Sequence, residues 1–244
     1  MSLTIDYSLG KFELGKNVII LGPRARGKTD LVLTNIFLNF QSKINHLFVV
    51  SKDEKYKEIT NHIFNENQLT TIFQEIQSLS RFEQKLLIID EITIHNNPII
   101  ECILINSHHF NITVVIVSQI GELSLVSRDY IDNLVIANEK SVTLVRNIFE
   151  KYSTTYGDFI YFMEVVSGLG KNEFLFIPKR KNNIGLIRVN NHLQRYLYSY
   201  KMFVRYDILL RINGNNKQEY EEILKKVNNM IDELGEIKKR IANK

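Results

Sequence analysis

Eight residues constrain this chain more than any others: Gly22-Pro23-Arg24-Ala25-Arg26-Gly27-Lys28-Thr29. They follow the apolar run Val18–Leu21 and open a helical pattern that extends from Lys28 to Phe40. A strand running into a glycine-bounded loop and then a helix is the context that the pattern G-x-x-x-x-G-K-[ST] requires. Gly22 and Gly27 permit backbone angles that turn successive N–H groups inward, forming an anion nest. The helix N-terminus near Lys28 adds positive potential. In such a loop the Lys28 ammonium reaches the β- and γ-phosphates of a nucleotide, and the Thr29 hydroxyl ligates Mg2+. The whole octet, Pro23 and Ala25 included, is the expected nucleotide-contacting segment. Arg24 and Arg26 read either as phosphate contacts in cis or as solvent-facing variable positions, with Arg26 the better candidate for contact.

A loop of this kind needs a sheet to hold it, and the sequence supplies one. Asn17–Leu21, His46–Ser51, Lys85–Asp90, Thr113–Ser118 and Asn133–Asn138 are short runs rich in Val, Ile and Leu. Continuous rather than alternating apolarity suits strands buried on both faces of a parallel sheet. Lys28–Phe40, Asp53–Phe64 and Pro98–Phe110 are each long enough for a crossover helix. The resulting rhythm predicts an α/β fold, an open sheet covered on both sides. Lys140–Lys151 and Gly157–Val166 add two expected helices.

The second half of a phosphate site is readable in Leu86-Leu87-Ile88-Ile89-Asp90-Glu91. Four apolar residues build a central strand, and Asp90 emerges at its carboxyl end, where ligands of such sheets bind. Asp90 can hold Mg2+ through a water, and Glu91 can polarise an attacking water as general base. Glu91 separates a hydrolase from a passive nucleotide binder, because binding needs only the loop and Asp90. Gln119 ends the run Thr113–Ser118. If that strand lies between the loop strand and the Asp90 strand, Gln119 either senses the γ-phosphate or orients the water; otherwise it caps the next turn.

Composition narrows the setting. Of 244 residues, 44% are hydrophobic and 24% charged, as in a folded globular protein and unlike a disordered one. Cys102 is the only cysteine, which excludes disulfide frameworks and cysteine-rich zinc sites. No apolar run approaches the roughly 20 residues of a membrane span. Asp6, Lys11, Glu13 and Lys16 interrupt any signal-peptide pattern. The expectation is an intracellular, soluble protein.

The charge is unevenly spread. Residues 1–170 carry 15 Lys and Arg against 19 Asp and Glu, whereas residues 171–217 carry 10 against 2. That basic stretch reads equally as a polyanion-binding segment or as a solvated surface. Within it, Phe174–Pro178 and Gly185–Val189 look like a hairpin around the polar turn Lys179–Asn183. Lys179, Arg180 and Lys181 at its tip are candidate polyanion contacts. Beyond the turn Asn213–Asn216, residues Tyr220, Ile223, Val227, Met230, Leu234, Ile237 and Ile241 recur at alternating spacings of 3 and 4. This is a short heptad seam, or an amphipathic helix packed on its own domain. Three segments are therefore expected: a catalytic domain over 1–170, a basic extension over 171–212 and a helical tail over 213–244.

GPRARGKT, LLIIDE and TVVIVSQ together resemble the genome-packaging ATPases of poxviruses and other large DNA viruses, within the FtsK/HerA branch of P-loop motors. The resemblance covers roughly residues 15–140. Asn106–Thr113 also resembles the family, in which Gly-Arg-His commonly precedes the strand of the third motif. Here His109 matches the histidine and His108 replaces the arginine. The resemblance implies a RecA-like P-loop NTPase sheet of the ASCE type, with strand order 5-1-4-3-2. It implies ATP and Mg2+ as cofactors, a homo-oligomeric ring (pentamer or hexamer) and ATP-driven movement of double-stranded DNA into a capsid. It further implies capsid or membrane proteins of the virion as partners, and a place in the host-cell cytoplasm, in virus factories, or in the virion. In such rings an arginine from the neighbouring subunit completes the site. Arg128, in Ser127–Asn133, is the candidate, and Arg146 the alternative. A helicase, a partitioning translocase and a nucleotide-gated scaffold without turnover are the competing readings.

Overall fold

The strands form one sheet, and their order places the phosphate loop near its middle. The computed structural model describes residues 12–92, 94, 97–119, 123–152, 158–179 and 185–188. The expected contacts Arg180 and Lys181, and the heptad tail, lie outside these residues.

The strands are β1 (Val18–Leu21), β2 (His46–Val50), β3 (Ile63–Phe64), β4 (Lys85–Asp90), β5 (Ile112–Ser118), β6 (Asn133–Ala137), β7 (Glu173–Pro178) and β8 (Gly185–Arg188). They run in the order β3-β2-β4-β5-β1-β6-β7-β8. The five apolar runs keep the order 5-1-4-3-2 inside this longer sheet. A short parallel strand is added beside β2, and an antiparallel pair beside β6.

Burial explains the near-continuous apolarity of the central strands. Val18, Ile20, Leu86, Ile88, Val115, Val117 and Val135 pack with Leu31, Val32, Ile36 and Phe40 of the helix that follows the loop. The alternate residues Ile19, Leu21, Leu87, Ile89, Val114 and Ile116 are equally buried, so the sheet is covered on both sides. The loop helix spans residues 28–40 and widens into a π-helical stretch over Val32–Phe37.

One expectation changes. Asp53–Phe64 is not a crossover helix. It forms a 3-10 turn, Glu54–Glu58, followed by β3. Asp53 accepts a bond from the Lys55 N–H, and the Thr60 hydroxyl takes the His62 N–H. These local bonds compete with helical ones. The crossover helix is Leu69–Ser78, preceded by a capping box between Asn65 and Gln68. Its buried Leu69, Ile72, Phe73 and Ile76 carry a helical period that the choice of Asp53–Phe64 obscures. The expected hairpin forms, with β7 paired antiparallel to β8 from Glu173↔Arg188 to Phe176↔Gly185. β7 pairs with β6 from Asn133↔Pro178 to Ala137↔Phe174, so the stretch expected to begin a basic extension at residue 171 continues the main sheet. Phe174, Phe176 and Ile187 join the core, and Phe12 meets Phe176 edge-on at 5.6 Å.

At the end of the sheet opposite the loop, Asn17 ties four segments together. Its backbone N–H donates to Asp132, its side-chain amide donates to Ser107 and the Tyr130 carbonyl, and its Oδ1 accepts from the Val114 N–H. All of this is buried or nearly so, and replacement strands polar groups away from water. Asn17→Ala should destabilise the fold by about 3 kcal/mol, read as a lower urea midpoint at unchanged slope. A loss under about 0.5 kcal/mol would show that these groups find other partners.

Candidate phosphate-binding cleft

The octet is built as an anion nest. Gly22, Ala25 and Gly27 all take positive φ, at 142°, 58° and 82°. Ala25 was not expected to do so, and adopts the left-handed conformation without the freedom of glycine. Gly22 is also required by space: a Cβ there would lie 2.7 Å from that of Ala137 on β6. A Cβ on Gly27 would overlap the Asn172 side chain.

Lys28 folds back over the loop and donates to the carbonyls of Gly22 and Pro23, both at 2.8 Å. Thr29 donates to Asp90 Oδ2 at 3.0 Å, joining the loop helix to the end of β4. Tyr56, from the turn after β2, donates to the same oxygen at 2.8 Å. Glu91 follows with φ of 57°, uncommon for a residue with a side chain. The left-handed turn brings the chain sharply off β4, and Glu91 lines the same cleft as Asp90.

The cleft has a volume of about 720 Å3 at the carboxyl ends of β1, β4 and β5. β5 pairs with β1 on one side and β4 on the other, which was the condition for Gln119 to belong to the site. Gln119 is exposed and lines the cleft, as do Arg24, Arg26, Lys28, Thr29, Asp90 and Glu91.

The charges here are strained by burial. Burial pushes the Asp90 carboxyl above its ordinary value and Glu91 adds to this, while the bonds from Tyr56 and Thr29 and the charge of Lys28 oppose it. Burial also pulls the Lys28 ammonium below its ordinary value, against the attraction of Asp90 and Glu91, and Arg24 lowers it further. A bound cation would relieve the first cost and a bound anion the second. The donor set fits Mg2+: a hydroxyl and a carboxylate are hard oxygen donors, and this ion keeps several waters and takes few protein ligands.

Other expected residues lie elsewhere. Arg128 sits in the helix Leu125–Asp129, half-buried, its guanidinium 6.0 Å from the centre of the Tyr152 ring. Lys179 bonds to the carbonyls of Arg128 and Asp129 and pairs with the Asp129 carboxylate at 3.1 Å. Since β7 is antiparallel to β6, its end at Lys179 lies by the start of β6, away from the loop. Arg146 stacks on Phe159 at 4.3 Å. His108 and His109 are exposed just before β5, at the end of the sheet away from the cleft, so the family-like histidine does not reach the phosphate loop.

Sequence reasoning missed Tyr56, Lys171 and Asn172. The last two line the cleft from the turn before β7, where Asn172 has φ of 62°. The available signal for Tyr56 was a lone aromatic in the charged run Asp53–Glu58, just past a strand's carboxyl end.

This sheet and loop define a P-loop NTPase fold. Solved structures share it. The genome packaging NTPase B204 of Sulfolobus turreted icosahedral virus 2, in complex with ATP-gammaS, aligns with a TM-score of 0.61 at 15% identity, over 72% of this chain and 98% of that one. The cytoplasmic domain of the Thermomonospora curvata type VII secretion ATPase EccC aligns at 0.50 and 9% identity, over 71% of this chain and 25% of that one. The pCW3 conjugation coupling protein TcpA, solved with ATPgS, aligns at 0.50 and 9% identity, over 80% of this chain and 66% of that one. No protein-family model and no curated protein matches the chain.

Proposed function

We propose that this chain is an ATP-hydrolysing motor that moves double-stranded DNA into a viral capsid during virion assembly. One observation carries the reading: β1, β4 and β5, adjacent in the sheet, bring Lys28, Thr29, Asp90, Glu91 and Gln119 into one cleft. The loop amides and Lys28 hold the β- and γ-phosphates of ATP. Thr29 and Asp90 hold Mg2+, which supplies charge neutralisation on those phosphates. Glu91 accepts a proton from the attacking water, and Gln119 orients that water or senses the γ-phosphate.

Arg128 does not line the cleft of its own chain, so its role as an arginine finger is toward the nucleotide of a neighbouring copy. This fits a homo-oligomeric ring of five or six subunits. Alignment with a viral genome packaging NTPase over nearly all of that chain supports the packaging reading. Within that reading the chain belongs with the poxvirus and large-DNA-virus type, acts in cytoplasmic virus factories or the virion, and meets capsid or membrane proteins there. Among the described residues no helix is long and apolar enough to cross a membrane.

DNA is gripped through phosphates by Lys179, Arg180 and Lys181. The decisive experiment is steady-state ATP hydrolysis with and without double-stranded DNA, alongside sizing of the purified chain. Stimulation by DNA and a ring are expected. A monomer whose turnover ignores DNA would remove the motor reading. Replacing Lys179, Arg180 and Lys181 by Ala should reduce the slope of log affinity against log salt by about 0.9 for each phosphate no longer neutralised, near 3 in all. The change should be nearer 2 if the Lys179–Asp129 pair persists on DNA. An unchanged slope would place the grip elsewhere.

A further inference from the structure

The turn after β2 carries a group that none of the three motifs contains. Tyr56 is wholly buried at 0% exposure, although its neighbours Asp53, Glu54, Lys55, Lys57 and Glu58 are charged. A buried hydroxyl requires a partner, and here that partner is Asp90. Oδ2 of Asp90 accepts from both Tyr56 and Thr29, and no described residue donates to Oδ1. Two donors on one oxygen fix the plane of the carboxylate and decide which oxygen remains for a cation. The same turn is anchored to the loop helix, since Lys55 pairs with Asp30 at 2.9 Å.

We propose that Tyr56 is a positioning residue that presents Asp90 to Mg2+ and thereby sets the metal affinity of the nucleotide site. The inference rests on the nucleotide-site reading above. Partners that orient metal-binding groups typically change metal affinity 10- to 100-fold when removed. Tyr56 acts on the cation and not on the phosphate nest, so its effect is confined to the metal-dependent part of binding.

The test is Tyr56→Phe, which keeps the buried ring and removes the hydroxyl. Binding of a fluorescent ADP analogue is titrated with Mg2+, and measured separately in EDTA. The Mg2+ midpoint should rise about 10-fold, with metal-free affinity unchanged. That unchanged affinity also reports an intact cleft. An unmoved or lowered midpoint would overturn the proposal. So would an equal loss of affinity with and without metal, which would make Tyr56 a support of the cleft as a whole. If the unaltered chain binds nucleotide with no Mg2+ dependence, the site reading fails and takes this inference with it. If the unaltered chain shows the dependence and Tyr56→Phe leaves it in place, the inference alone fails.

Discussion

Glu91→Gln should bind nucleotide as tightly as the unaltered chain and hydrolyse it about 10²- to 10⁴-fold more slowly. Glutamine keeps the shape and a hydrogen-bonding oxygen but cannot take a proton from water. The position argues for chemistry as well. A non-glycine residue at φ of 57° carries a backbone cost, of about 1 kcal/mol or more, and such costs cluster at functional sites. Here the left-handed turn puts Glu91 in the cleft directly after the buried Asp90. Nucleotide affinity and single-turnover hydrolysis, measured on the same preparation, separate the two effects. Normal turnover in this variant would remove Glu91 as the base and leave the cleft a binding site.

Lys28→Ala should abolish turnover, and the loss should begin at binding. The ammonium is the cation the loop aims at the phosphates, and it also holds the Gly22 and Pro23 carbonyls at 2.8 Å. The variant therefore loses both a charge and a brace of the nest. A pH dependence follows from the direction of its shift. Burial lowers the Lys28 pKa in the free site, and a bound triphosphate raises it again. Affinity in the unaltered chain should fall as pH rises through that lowered value, because binding then requires uptake of a proton. Calorimetric titrations in buffers of different ionisation heat would show the uptake, and Lys28→Ala should lack it. Persistent hydrolysis in Lys28→Ala would overturn the assignment of the loop.

Several features were legible because their cause is local. The octet carries its glycines, lysine and threonine in one stretch, and a strand before it and a helix after it are written in adjacent residues. The central strands are apolar throughout because both faces are covered, so their burial shows in composition alone. Asp53–Phe64 misled for the same reason in reverse. Tyr56, Ile59 and Ile63 carry a helical spacing, yet side-chain bonds from Asp53 and Thr60 to nearby backbone N–H groups turn the chain instead. The period that mattered began at Leu69, after a capping box.

Residue order alone decided the chemistry on offer: an anion nest with one lysine, a carboxylate pair after an apolar strand, and a glutamine after another. Adjacency was decided by the packing of the chain. Placing β5 between β1 and β4 set Gln119 beside the loop, and the antiparallel return of β7 set Asn172 against Gly27 while carrying Lys179 to the far end. Folding back the turn after β2 put the Tyr56 hydroxyl on Asp90, 34 residues away in the chain. Hydrogen bonds and burial act over a few ångströms of space, whichever residues the chain brings there. A motif therefore states what a side chain can do, and only the meeting of distant segments states to which atom it does it.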